Sequence, residues 1–97
     1  NSTYFDLYLI ALGDRARDLA FAQALKLRKE GFVVDLAFGE RGLKGAMKAA
    51  DKLGARYTAV LGDSEVESGR IELKEMSSGE SKSITLDSLA TELISRR

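Results

Sequence analysis

Two short apolar runs, Phe5–Leu12 and Phe32–Phe38, flank sixteen residues of helical spacing from Arg15 to Glu30, and that arrangement leaves few folds open. Each run is too short for a core helix and stops at a glycine, which favours buried strands. Between them Ala16, Ala20, Ala24 and Leu27 form one stripe, widened by Phe21 and Leu25. Asp14 is placed to cap the helix start, and Gly31 to end it. A strand–helix–strand unit of this length makes its strands parallel with a right-handed crossover. Arg28 falls on the apolar face in the last turn, where it can snorkel past the sheet edge or pair with Asp35.

The pattern then repeats with a shorter helix. Leu43, Ala46, Met47, Ala50 and Leu53 share one face, and Arg41, Lys44, Lys48 and Lys52 the other. Gly39, Gly42 and Gly45 loosen its entry, Gly54 closes it, and Tyr57–Leu61 reads as a third parallel strand. After Gly62 the period changes to two. Residues 63–68 read as a loop or single helical turn with Asp63 at its cap, while Asp63 and Glu65 could instead serve as a carboxylate pair or as acceptors from base amino groups. Arg70–Glu75 and Ser81–Leu86 then alternate around a Ser77–Glu80 turn, which predicts a hairpin. A last helix starts at Thr85 or Asp87, with Leu86, Leu89, Ala90, Leu93 and Ile94 inward, and Arg96 and Arg97 suiting its C-terminus. The expected fold is α/β in three layers: a five-stranded mixed sheet of three parallel strands plus an antiparallel hairpin, in the order βαβαβ then ββα. It occupies residues 5–97. Residues 1–4 read as a polar, disordered extension, and an opening Asn in place of Met reads as a processed chain or a piece cut from a longer one.

Composition removes several function classes. The 97 residues contain no cysteine and no histidine, so thiolate and imidazole metal sites, disulfides and the commonest general base are all missing. No apolar run approaches the roughly 18–20 residues that span a bilayer, and the start does not resemble a signal peptide. The chain carries 15 basic and 15 acidic residues. Against that neutral background Arg41, Lys44, Lys48, Lys52 and Arg56 are joined only by Asp51, a local excess of cations suited to a polyanion. Cations one helical turn apart can meet phosphates, or can be an ordinary solvated surface. The Gly39–Gly45 spacing fits neither a dinucleotide fingerprint nor a Walker loop. Asp63 and Glu65 lie past the end of the third strand, where ligands of open α/β sheets bind, and no nucleophile or acid–base set accompanies them.

The segment from Leu43 to Glu65, LKGAMKAADKLGARYTAVLGDSE, resembles the C-terminal anticodon-binding domain of bacterial histidyl-tRNA synthetases. Gly69–Glu80, Asp6–Ile10 and Leu27–Gly31 fit the same family, so the resemblance runs from about Phe5 to Leu93. It implies a domain that binds a tRNA anticodon stem-loop, while a separate class II catalytic domain of the same parent chain carries out aminoacylation with ATP and magnesium. It also implies a cytoplasmic, homodimeric parent with no membrane association, and no cofactor in this domain. The tRNA-facing positions it implies are Arg41, Lys44, Lys48, Arg56, Asp63 and Glu65. Glu40 and Gly42 depart from the basic or polar residues common there. The alternative is a synthetase-like regulatory or protein-interaction module without tRNA binding.

Overall fold

The computed structural model describes residues 5–38 and 42–96. Strands β1 (Phe5–Ala11), β2 (Val34–Ala37), β3 (Ala55–Leu61), β4 (Arg70–Glu75) and β5 (Ser81–Thr85) form one sheet in the order β2-β1-β3-β4-β5. β1 pairs parallel with β2 and β3, and the β4–β5 hairpin adds antiparallel to β3. The helices are α1 (Asp14–Lys29), α2 (Gly42–Leu53), α3 (Asp63–Ser68) and α4 (Leu89–Ser95), the last entered through a 3-10 turn at Leu86–Ser88. The mixed five-stranded sheet expected from the pattern is therefore present.

From β1 the chain moves to β2 in one direction and then back past β1 to β3. Two right-handed crossovers in opposite directions put their helices on opposite faces. Strand alternation serves both layers: Leu7, Leu9 and Ala11 pack with α1 and α4, while Tyr8 and Ile10 pack with α2. The first core is the larger, joining Tyr57, Ala59, Leu61, Ile71, Leu73 and Ile84 to Leu86, Leu89 and Leu93. α2 buries mainly Ala46 and Ala50, small residues that let it lie close to the sheet. Among the described residues, no helix is long and apolar enough to cross a membrane.

Local chemistry corrects several sequence expectations. Gly13 is the N-cap of α1, and Asp14 stands in the first turn without a capping hydrogen bond. At the other end Gly31 adopts φ 93°. Its N–H donates to the Arg28 carbonyl and that of Phe32 to the Leu27 carbonyl, a Schellman ending sealed by buried Leu27 and Phe32. This turn consumes Phe32, so β2 starts later than its apolar run suggests. Arg28 does not pair with Asp35: its Nη2 donates to the Val34 carbonyl at 2.7 Å, while Asp35 accepts from the Leu36 N–H at 2.9 Å. Both bonds occupy backbone groups on the outer edge of β2 and block strand addition there. Phe21 and Leu25 lie outside the core; Phe21 stacks on Phe38 at 5.8 Å between ring centres, with Arg17 over the Phe38 ring. Residues 1–4 and 97 lie outside the described residues.

The last helix is fastened by charge as well as burial. Glu92 accepts from Arg96 at 2.8 Å and from Lys82 at 3.2 and 3.3 Å, tying α4 to β5. Arg96 also lies over the ring of buried Tyr57. Its hydrogen bond to Arg96, then that to Lys82, hold the Glu92 carboxyl below its usual value of 4.5. A carboxyl lowered by folding stabilises the fold while ionised. That contribution is complete above the unfolded value and disappears as pH falls through the folded one. Glu92→Gln is therefore expected to lower stability modestly near neutrality, the cluster being partly exposed, and to leave it unchanged at low pH where Glu92 is protonated, so that the acid limb below about pH 5 is flatter. Urea midpoints of both proteins between about pH 2.5 and 7 check this; parallel acid limbs would contradict it.

Candidate nucleic-acid interface

α2 lies over β1 and β3 and leaves the hairpin's matching face uncovered. By alternation, Ile71 and Leu73 of β4 point to the α1 side, so Glu72 and Lys74 point to the α2 side, where no helix follows. The result is a groove of about 320 Å³ beside α2. Thr58 and Val60 of β3 form its floor, Leu43 and Met47 of α2 one wall, and Glu72, Lys74 and Ser81 the other. Glu65 of α3 closes one end. Thr58, Lys74 and Ser81 are register partners, so they form one row across three strands. Among the described residues the hydroxyl of buried Thr58 donates to the Met76 sulfur at 3.7 Å, a weak acceptor, so it is under-used where it meets the groove. The volume is at the lower end for small-ligand sites.

Along the outside of α2 run Lys44, Lys48 and Lys52, exposed and one turn apart, about 6 Å per step. Among the described residues none of them forms an ion pair, so their charge is free for an external anion. Gly42 and Gly45 fall within α2. Gly39, Glu40 and Arg41 lie outside the described residues, so the expected place of Arg41 in the interface is not described.

The two acids after β3 diverge. Gly62, not Asp63, is the N-cap of α3, and the Glu65 carboxylate reaches back to accept from the Gly62 N–H at 2.8 Å. Ser64 donates to the second Glu65 oxygen at 3.2 Å. A Cβ at Gly62 would meet that carboxylate at 3.1 Å, so a side chain there would disturb the cap. Glu65 faces the groove, whereas Asp63 turns towards Gly13 and lines a separate, open hollow with Ser64, Glu67 and Ser68. They do not form a carboxylate pair.

Arg56 stands apart from both. It occupies the amino end of β3, with its guanidinium 5.6 Å from the centre of the Tyr57 ring. Six residues, Tyr57–Gly62, lie between it and Asp63, about 20 Å of extended chain. The structure thus places Glu65 at the groove and Lys44 and Lys48 on the outer face of α2, Lys48 bordering a separate hollow with Tyr8, Gly45, Ala49 and Lys52, while Asp63 and Arg56 lie apart from them. Thr58, Glu72, Lys74 and Ser81 were not singled out from the sequence. The period-two alternation of β4 was the available signal, but it reveals an uncovered face only once the length and position of α2 are known.

This geometry matches known proteins over almost the entire chain. A family model described as "Anticodon binding domain" matches residues 6–96. The histidine–tRNA ligase of Streptomyces coelicolor is 44% identical over 90 residues, which cover 93% of this chain and 21% of that protein. That of Mycobacterium tuberculosis is 43% identical over 96 residues, covering 99% and 23%. The chain therefore spans about a fifth of the length of these curated relatives. The crystal structure of apo histidyl-tRNA synthetase from S. aureus superposes with a TM-score of 0.87 at 40% identity, over 93% of this chain and 26% of that one. The RNA binding domain of threonyl-tRNA synthetase from Cryptosporidium parvum, at 17% identity and a TM-score of 0.82, shares the fold. The chain belongs to the anticodon binding domain family, in the form carried by histidyl-tRNA synthetases.

Proposed function

We propose that this domain binds the anticodon stem-loop of histidine tRNA as the accessory domain of a histidine–tRNA ligase. Catalysis, with its ATP and magnesium, belongs to another part of that parent, and no step of it runs through the residues described here. The observation that carries the reading is the unneutralised stripe Lys44–Lys48–Lys52 on the outer face of α2, the helix whose Leu43 and Met47 form one wall of the groove. The lysines meet backbone phosphates and set position, while the groove takes unstacked bases, which is how single-stranded RNA loops are read. Glu65, with its carboxylate fixed by Gly62 and Ser64, offers a rigid acceptor at the groove's end. Asp63 in its separate hollow, Arg41 and Arg56 are assigned by family resemblance alone. The parent is a cytoplasmic homodimer in this reading.

Lys44→Ala combined with Lys48→Ala tests it. Removing two phosphate contacts should weaken stem-loop binding roughly tenfold at low salt and reduce the slope of log K against log salt by about 1.4. Fluorescence anisotropy across a salt series measures both. Identical curves for the two proteins, or no binding by either, would remove the lysines from the site or leave the regulatory-module reading in its place.

A further inference from the structure

One row of side chains crosses the α2 face of the sheet: Asp35, Tyr8, Thr58, Lys74 and Ser81 are register partners on successive strands. Thr58, Lys74 and Ser81 line the groove, whereas Tyr8 lines the second hollow, which has a volume of about 750 Å³. The two cavities take opposite sides of α2. Leu43 and Met47 wall the groove, Gly45, Lys48, Ala49 and Lys52 wall the hollow, and buried Ala46 and Ala50 lie between these two sets around the helix. Gly45 and Ala49 carry too little side chain to fill the space beside them, so the hollow stays open.

Tyr8 is only 7% exposed, yet among the described residues its hydroxyl makes no hydrogen bond. A phenol buried to this degree ordinarily has a partner. Unlike the sealed Gln23 carbonyl, the Tyr8 hydroxyl keeps contact with solvent, and it does so at the hollow. Two ammonium groups border the same space. Lys48 and Lys52 are one turn apart, about 6 Å along the helix, which lets both reach a single phosphate. Among the described residues neither forms an ion pair. Asp51 is the one acid in the lining, so the hollow is net positive. Asp35, next in the row, does not line it, and its carboxylate accepts from the Leu36 N–H at 2.9 Å. Two ammoniums and a phenol are all donors, a set that suits a phosphate and not a cation. The volume also admits the sugar or base that a phosphate carries.

We propose that this hollow seats one phosphate group, held between Lys48 and Lys52, with the Tyr8 hydroxyl donating to it. The phosphate comes from the backbone of the bound RNA or from a free nucleotide. The first source rests on the RNA-binding reading above; the seat itself does not.

Nuclear magnetic resonance of the 97-residue chain, whose cores close on both sheet faces, tests the seat. Adenosine 5′-monophosphate should move the Tyr8 ring signals and the amides of residues 45–53, and adenosine should not. Tyr8→Phe deletes an oxygen without a partner, so it should leave the melting temperature unchanged. It should weaken binding of the monophosphate roughly tenfold, the worth of one hydrogen bond to a charged group. Lys48→Ala with Lys52→Ala, both at exposed positions, should abolish that binding. Equal shifts with adenosine, signals that neither the monophosphate nor the stem-loop moves, or unchanged affinities in Tyr8→Phe overturn the seat. A stem-loop that moves the same signals and binds Tyr8→Phe less well assigns the phosphate to RNA. Monophosphate binding that the stem-loop does not disturb assigns it to a free nucleotide, and either result supports the seat. Stem-loop binding that leaves these signals unmoved, without monophosphate shifts, overturns the seat and spares the RNA-binding reading. Monophosphate shifts in a chain that binds no stem-loop support the seat and count against that reading alone.

Discussion

Leu9→Ala is expected to remove about 3 kcal/mol of folding stability, a large share of the roughly 5–15 kcal/mol that holds a domain together. Leu9 is fully buried on β1, an interior strand, with Leu36 on β2 and Ala59 on β3 as its register partners. It belongs to the larger core beneath α1 and α4, which draws on every strand. Neighbours held in two ladders cannot collapse into the vacated space, so the cavity cost adds to the lost burial. For a chain of this size the melting temperature should fall by about 12–24 °C. Leu25→Ala is the matched control: the same atoms are deleted from an exposed site, and the change should stay within about 0.5 kcal/mol. Comparable losses from the two variants would show that the core is not where the burial pattern places it.

The contrast between Leu9 and Leu25 also marks what periodicity could read. A stripe at helical spacing identifies α1 and its inward residues Ala16, Ala20, Ala24 and Leu27 correctly, because their period is the helix's own. It cannot say how wide the covered arc is. Phe21 and Leu25 extend the stripe around α1, but the sheet ends at β2 and leaves them uncovered. The same limit applies to α2, where Ala46 and Ala50 are buried while Leu43 and Leu53 flank them in solvent. Hydrogen-bond exchange was likewise out of reach. The sequence marks Asp63 as the cap and Arg28 as a partner for Asp35, yet backbone geometry chooses Gly62, Glu65 and the Val34 carbonyl instead. The lysine stripe was legible because it is local to one helix. The groove was not, because its walls come from four elements brought together by strand register.

Ser81→Trp separates the two halves of the proposed interface. Ser81 is exposed at the start of β5 and ends the row Thr58–Lys74–Ser81 across the groove. An indole there suits strand geometry and removes no buried contact, so folding stability should change by less than about 1 kcal/mol. Its ring would occupy much of a groove of about 320 Å³ and deny the floor to a nucleobase. Stacking and edge contacts to an unstacked base are worth about 1–3 kcal/mol. The preference for a histidine anticodon loop over one of scrambled sequence should therefore fall by roughly ten- to a hundredfold. Lys44, Lys48 and Lys52 remain in place, so the salt dependence of the residual binding should match the wild type. Loss of lysines and loss of the groove then leave opposite signatures: the first lowers the salt slope and spares discrimination, the second spares the slope and erases discrimination. A Ser81→Trp protein that still distinguishes the two loops would place base recognition outside the groove and leave α2 as a phosphate contact only.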